Sequence, residues 1–132
     1  MLNVYIGILA AFAKMDGFLR WSYTCWTDEP NVDLRYGPFP VGDLGYVYPA
    51  KSGYPLLSLR WKTLYRGIKY FVLIKEAEKR GLTEAVEKAY DRVLLEKDIK
   101  KLYSNWEREK IMSVSADDYR EFAALLMGAL EE

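Results

Sequence analysis

The chain contains no histidine and a single cysteine in its 132 residues. Without histidine, a serine or cysteine nucleophile activated through an imidazole is excluded in its usual form. A histidine-ligated zinc site is excluded too. The lone Cys25 allows no intrachain disulfide and no CxxC pair. Set among aromatics, it reads as a buried, inert thiol. One free cysteine also fits a reducing, cytoplasmic setting. Net charge is missing as well, since Lys+Arg 19 balance Asp+Glu 19. A neutral chain has no long-range pull toward nucleic acid or an anionic membrane. Neither is expected as a partner, and no cofactor or metal is expected.

Charge is scarce in the first half, where residues 1–60 carry 5 basic and 5 acidic side chains. The remaining 14 of each sign fall in residues 61–132. The front half therefore reads as buried or cleft-lining, and the back half as helices with solvated faces. Proline is absent after Pro55; all five prolines (Pro30, Pro38, Pro40, Pro49, Pro55) lie in one aromatic-rich stretch with Tyr23, Trp26, Tyr36, Phe39, Tyr46, Tyr48 and Tyr54. At 51% hydrophobic residues the chain can bury a core, and its length fits one domain.

The apolar run Val4–Ala13 ends in Ala11-Phe12-Ala13, which imitates a signal-peptidase site. No basic residue precedes it, and it is too short to cross a bilayer. It reads as a helix over 2–14, with Ile6, Leu9, Ala10 and Ala13 on one face. Phe18–Thr24 reads as a strand, residues 27–43 as an irregular loop, and Leu44–Tyr48 as a short extended piece. A turn around Ser52-Gly53 follows. From Leu56 the period becomes helical: Leu57, Trp61, Leu64, Tyr65, Ile68, Phe71 and Val72 form the expected inward face through to Arg80. Gly81 fits a C-terminal cap and Thr83 an N-cap of the next helix, with Val86, Tyr90, Val93 and Leu94 inward. The pattern weakens between Lys97 and Lys110. Ser115 and Asp118 then form a capping-box pattern, opening a last helix with Tyr119, Phe122, Leu126, Ala129 and Leu130 inward.

The expected fold is therefore α/β and helix-rich, residues 1–132 forming a single domain or a fragment. Residues 1–55 hold helix, strand and aromatic loop, and residues 56–132 the helical part. One strand and a short extended piece make no self-sufficient sheet. A β-α step of this kind occurs at the end of a (β/α)₈ barrel. Either the strand pairs outside the chain, or the chain packs as a mostly helical module that self-associates.

The order of motifs resembles the C-terminal segment of glycoside hydrolase family 123 and of the related domain of unknown function 4091 group. The pieces are Leu19-Arg20-Trp21, Trp26, Asp33-Leu34-Arg35, Gly42-Asp43, Val47-Tyr48-Pro49, Ser58-Leu59-Arg60 and Gly67-Ile68. The resemblance implies the C-terminal βα portion of a TIM-barrel glycosidase with extra helices, not a complete barrel. It also implies N-acetylgalactosaminidase-type chemistry, in which the substrate's acetamido oxygen attacks and an adjacent Asp-Glu pair assists. That pair belongs to a middle barrel strand, upstream of any motif matched here. Lys62, Tyr70 and Val72 stand where the family carries acids, which leaves the substrate open.

The candidate substrate-binding residues are Trp21, Tyr23, Trp26, Arg35 and Asp43. Indole and phenol rings offer flat apolar faces to the C–H side of a sugar, and Arg35 and Asp43 can hydrogen-bond hydroxyls. The competing readings are core packing for the aromatics and a loop-pinning pair for Arg35 and Asp43. Asp28-Glu29 reads as a solvated pair, because nothing nearby in sequence raises one carboxyl as a general acid requires. Asp117-Asp118 reads as helix N-terminal charge, and Lys62, Arg66 and Lys69 as the solvated side of an amphipathic helix. The partners expected are a carbohydrate ligand and a second chain, identical or different.

Overall fold

The structure is a computed structural model that describes residues 2–19, 22–35, 37–39, 45–104 and 107–132. Its elements are α1 (Leu2–Phe12), β1 (Val47–Tyr48), β2 (Leu56–Leu57), α2 (Leu59–Lys79), α3 (Thr83–Val93), α4 (Ile99–Ser104), α5 (Arg108–Ile111) and α6 (Ala116–Glu131). Among the described residues this is a helix-rich α/β fold whose sheet has two strands, and no barrel is formed.

The helix ends follow local chemistry. α1 stops in a Schellman turn: Lys14 N–H donates to Ala11 O (3.1 Å) and Met15 N–H to Ala10 O (2.9 Å). Lys14 takes the left-handed position at φ 55, and its ammonium reaches Glu78 of α2 at 2.5 Å. α2 starts at Ser58, whose hydroxyl accepts from Trp61 N–H at 3.1 Å. It ends at Gly81 (φ 76), where Leu82 N–H donates to Ala77 O at 3.0 Å. The expected glycine cap is thus present. The expected N-cap at Thr83 is not, because the cap position of α3 is Leu82, without a side-chain cap bond. Ser115 does cap α6, accepting from Asp117 N–H at 3.2 Å. The capping box is rerouted, however: Ser115 N–H donates to Ser113 Oγ at 3.0 Å, and Ser113 Oγ donates to the Asp118 carboxylate.

One core runs through the helices. It takes Val4, Tyr5, Ile8 and Ala11 from α1, Ile74 and Ala77 from α2, Val86, Ala89, Tyr90 and Val93 from α3, and Tyr119, Phe122 and Leu126 from α6. Leu94 and Met112 bridge the irregular segment between α3 and α6. α1 and α2 meet at two glycines. A Cβ on Gly7 would lie 1.9 Å from Gly67 O, and one on Gly67 would lie 2.6 Å from Asn3 O. No other residue permits so close a backbone approach.

That crossing overturns the expected inward faces. α1 buries Val4, Tyr5, Ile8 and Ala11; of its expected face Ala10 is buried, while Ile6, Leu9 and Ala13 are only half-buried. On α2 the buried residues are Gly67, Ile74 and Ala77, while Tyr65 (54%), Ile68 (51%) and Val72 (60%) are exposed. Both helices are apolar on two sides, and periodicity alone cannot choose between the sides.

The expected strand Phe18–Thr24 is also corrected. Its residues 20 and 21 lie outside the described residues. Of the rest, Thr24 forms a single antiparallel bridge with Gly45, and Leu19 is 93% exposed. A strand needs a partner of matching length, and the described chain offers two paired residues on each side.

Adding a methyl at the crossing will be costly: Gly7→Ala is expected to lower stability in urea unfolding by about 3 kcal/mol. Gly128→Ala, in α6 with nothing within 4 Å of the added Cβ, should raise it by about 0.5–1 kcal/mol. A second test concerns the buried hydroxyls of Tyr5 and Tyr90, which find no hydrogen-bond partner among the described residues. Burial pushes the Tyr5 phenol up to about 12 and raises that of Tyr90 further. Tyr90→Phe should therefore be neutral, or stabilising by about 1 kcal/mol.

Candidate functional site

The site is built around a short hairpin. β1 and β2 pair antiparallel, Val47 with Leu57 and Tyr48 with Leu56. The intervening turn uses Gly53 at φ 79, as the Ser52-Gly53 pattern predicts. Tyr46, just before β1, is buried and holds three segments together. Its N–H donates to Tyr23 O at 3.1 Å, and its carbonyl accepts from Ser58 N–H at 3.1 Å. Its hydroxyl donates to Asn3 Oδ1 of α1 at 3.2 Å. Arg60 closes the base, donating from Nε to Gly45 O at 3.0 Å and from Nη2 to Tyr48 Oη at 2.5 Å.

Tyr23 and Trp26 attach to consecutive residues of this strand. The Tyr23 ring stacks on Tyr46 at 5.9 Å and 11°, and meets Trp61 edge-on at 5.6 Å and 86°. The Trp26 indole N–H donates to Val47 O at 2.8 Å. Tyr23 is 45% exposed and Trp26 37%. Each ring is therefore held in place by the protein and still offers apolar surface to solvent, which suits stacking against a flat ligand. Trp61 is half-buried beneath Tyr23.

Arg35 is held within its own turn. It donates to Asp33 from Nε (2.9 Å) and Nη2 (2.7 Å), and its backbone N–H donates to Asp33 Oδ1 at 3.0 Å. The side-chain bond from Arg35, then its backbone N–H, hold the Asp33 carboxyl down at about 2. Thr27 Oγ1 donates to Asp33 O at 2.5 Å, fixing the same turn. Arg35 thus finds a carboxylate at Asp33, two residues away. Trp21 and Asp43 lie outside the described residues. Asp28 and Glu29 are both exposed. The Glu29 carbonyl accepts from Val32 and Asp33 N–H at 3.0 and 2.9 Å. Among the described residues, no three side chains of His, Cys, Asp or Glu type converge as metal ligands do.

Sequence reasoning placed Tyr23 and Trp26 at the site but did not find Tyr46, Trp61 or Arg60 as their supports. The Ser58-Leu59-Arg60 unit carried the signal for Arg60.

The sequence profile of the glycoside hydrolase 123 catalytic domain matches residues 1–77. The chain belongs to glycoside hydrolase family 123. Among curated proteins and among solved structures, nothing matches it. The family 123 region takes in α1, the aromatic loop, the hairpin and α2 as far as Ala77. It therefore contains the glycine crossing, Tyr46 and both exposed aromatics. Residues 78–132, with α3 to α6, lie beyond the match. Among the described residues no helix is long and apolar enough to cross a membrane.

The Asp33–Arg35 turn makes a testable statement about pH. The folded pKa of Asp33 lies below the ordinary carboxylate value of about 3.9. Any stabilisation from the pair is then complete above that value and is lost as pH falls through about 2. Carboxyl carbon NMR should follow Asp33 titrating near 2, and Arg35→Ala should return it to about 3.9. An unchanged titration in the variant would refute the pairing.

Proposed function

We propose that this chain is a carbohydrate-handling, C-terminal barrel portion of a family 123 glycosidase. In this reading it supplies an aromatic cleft wall but not the catalytic Asp-Glu pair. The observation that carries the proposal is the family 123 match over residues 1–77, which spans the part of the chain where exposed Tyr23 and Trp26 stand on the Tyr46–Val47 strand. Tyr23 and Trp26 stack on the sugar ring. Arg35, kept charged and oriented by Asp33, donates to a hydroxyl. Trp21 and Asp43 belong to the same wall. The chain works joined to another chain, identical or different, in the cytoplasm.

The alternative is a helical module that self-associates and binds no ligand. The observation favouring it is the apolar surface left open on α2, at Ile68 and Val72. The two readings part at Trp26: a sugar must touch the indole in the first and has no reason to in the second.

The purified chain alone is expected to show no turnover of aryl N-acetylhexosaminides. Turnover lost in Asp28→Ala or Glu29→Ala would overturn that expectation. N-acetylgalactosamine should shift tryptophan fluorescence with millimolar dissociation, about −4 kcal/mol. Trp26→Phe keeps an aromatic face but loses the hydrogen bond to Val47 O, so it should retain part of the shift at a stability cost of about 1 kcal/mol. Trp26→Ala should abolish the shift. A shift that persists in Trp26→Ala would remove the indole from the site.

A further inference from the structure

Of the apolar positions predicted from periodicity on α1 and α2, Ala10 is buried and Leu9 and Phe71 pack against the core, while Ile68 and Val72 stay exposed. Ile6 and Ala10 of α1, Phe18, and Leu64, Ile68 and Phe71 of α2 line one cleft of about 300 Å³. Ile68 also borders a second apolar groove that continues over Val72 to Leu130 at the end of α6. Ile68, Val72 and Phe18 are each about half exposed, at 51%, 60% and 49%. A helix apolar on two sides is normally covered on both, and the glycine crossing covers only one.

Charge identifies the occupant. From Lys51 to Lys75 the sequence contains Lys51, Arg60, Lys62, Arg66, Lys69 and Lys75, and not one acidic residue. Lys69 lines the second groove, and Lys62 and Arg66 precede it at helical spacing on the exposed side of α2. Lys69 sits over the Tyr65 ring at 4.7 Å. Among the described residues, neither Lys62 nor Arg66 has an ion-pair partner, whereas Lys75 is held by Glu78 at 2.6 Å. Glu76, beside the second groove, is held by Arg80 at 2.9 Å. Among the described residues, Asp16 is the only carboxylate lining the cleft itself.

We propose that this cleft docks a second polypeptide whose contact face is apolar along its middle and acidic at its margins. Two copies of this chain joined α2 to α2 would set the cations of one against those of the other, which is unfavourable. A bilayer presents a flat surface, while the cleft is a recess that an inserted side chain fills. An amphipathic helix laid into the groove matches both the shape and the charge. The proposal rests on the reading that the chain works joined to another, and names the surface and the chemistry of that partner. It is independent of the sugar test, which reads Trp26.

The probe is a fluorescent three-heptad peptide with leucine at the a and d positions and glutamate elsewhere, titrated against the full chain by anisotropy. Saturable binding is expected. It should weaken at least about tenfold between about 0.05 M and 0.5 M salt, as screening shortens the reach of the cations. It should be lost in Ile68→Glu and in the double reversal Lys62→Glu with Lys69→Glu. All three positions are exposed, so circular dichroism of the variants should match the parent. Rescue by the lysine version of the peptide in the double-reversal variant would confirm the charge logic. Absence of binding, or equal binding of the lysine or scrambled peptide to the parent, overturns the proposal. A dimer in sedimentation that Ile68→Glu dissolves assigns the cleft to a second copy and also overturns it. So does Ile68-dependent capture on phosphatidylserine vesicles.

Discussion

The contact of Gly7 with Gly67 decides how the first half of the chain is arranged. With no Cβ on either residue, the two backbones come within a distance that any side chain would block. The crossing rotates α2 so that Gly67, Ile74 and Ala77 turn inward, and it brings Asn3 within reach of both the Tyr46 hydroxyl and the Arg60 carbonyl, at 3.4 Å. Tyr46 in turn fixes Tyr23 and the hairpin. The aromatic wall therefore depends on two missing side chains some distance from it. The same rotation leaves Ile68 and Val72 exposed, so one constraint bears on both surfaces.

What was legible in the sequence was local. The stop of α2 at Gly81, the start of α6 at Ser115 and the turn at Ser52-Gly53 are set by side chains within a few residues of the backbone they serve. The inward set of α3 was also legible, because Val86, Tyr90 and Val93 form its one apolar stripe and Glu84, Lys88 and Asp91 face water. α1 and α2 were not, since each has two apolar stripes and a glycine in sequence does not announce which partner it will touch. The strand at Phe18–Thr24 failed for a related reason. Strand propensity is realised only with a neighbour, and the described neighbour supplies one bridge at Gly45.

The candidate site divides along the same line. Tyr23 and Trp26 were singled out as aromatics clustered before a proline-rich loop, and the structure leaves both partly exposed. Arg35 was expected to serve the cleft or to pair with Asp43, which lies outside the described residues; the Asp33-Leu34-Arg35 order contained the partner that the structure shows. A carboxylate two residues before an arginine in a turn can bind both its backbone N–H and its guanidinium. A pair this close in sequence closes only a short loop, which costs little entropy.

The two halves of the chain meet water differently, and this bears on how they act together. α3 and the segments after it carry surface ion pairs such as Lys88–Glu84 (2.7 Å), Lys97–Asp91 (2.6 Å) and Arg92–Glu121 (3.1 Å). Each is worth little for stability, but together they keep that surface polar. The family 123 region has few such pairs, and its exposed surface is aromatic near the hairpin and aliphatic beside the crossing. α6 and α3 complete the core that begins on α1, with Tyr70 Oη donating to Tyr119 O at 3.3 Å across the boundary of the family match. The later helices thus cover the inner side of α2 and leave its outer side open. The stability that α2 gains from packing therefore comes from the side that the rest of the chain covers.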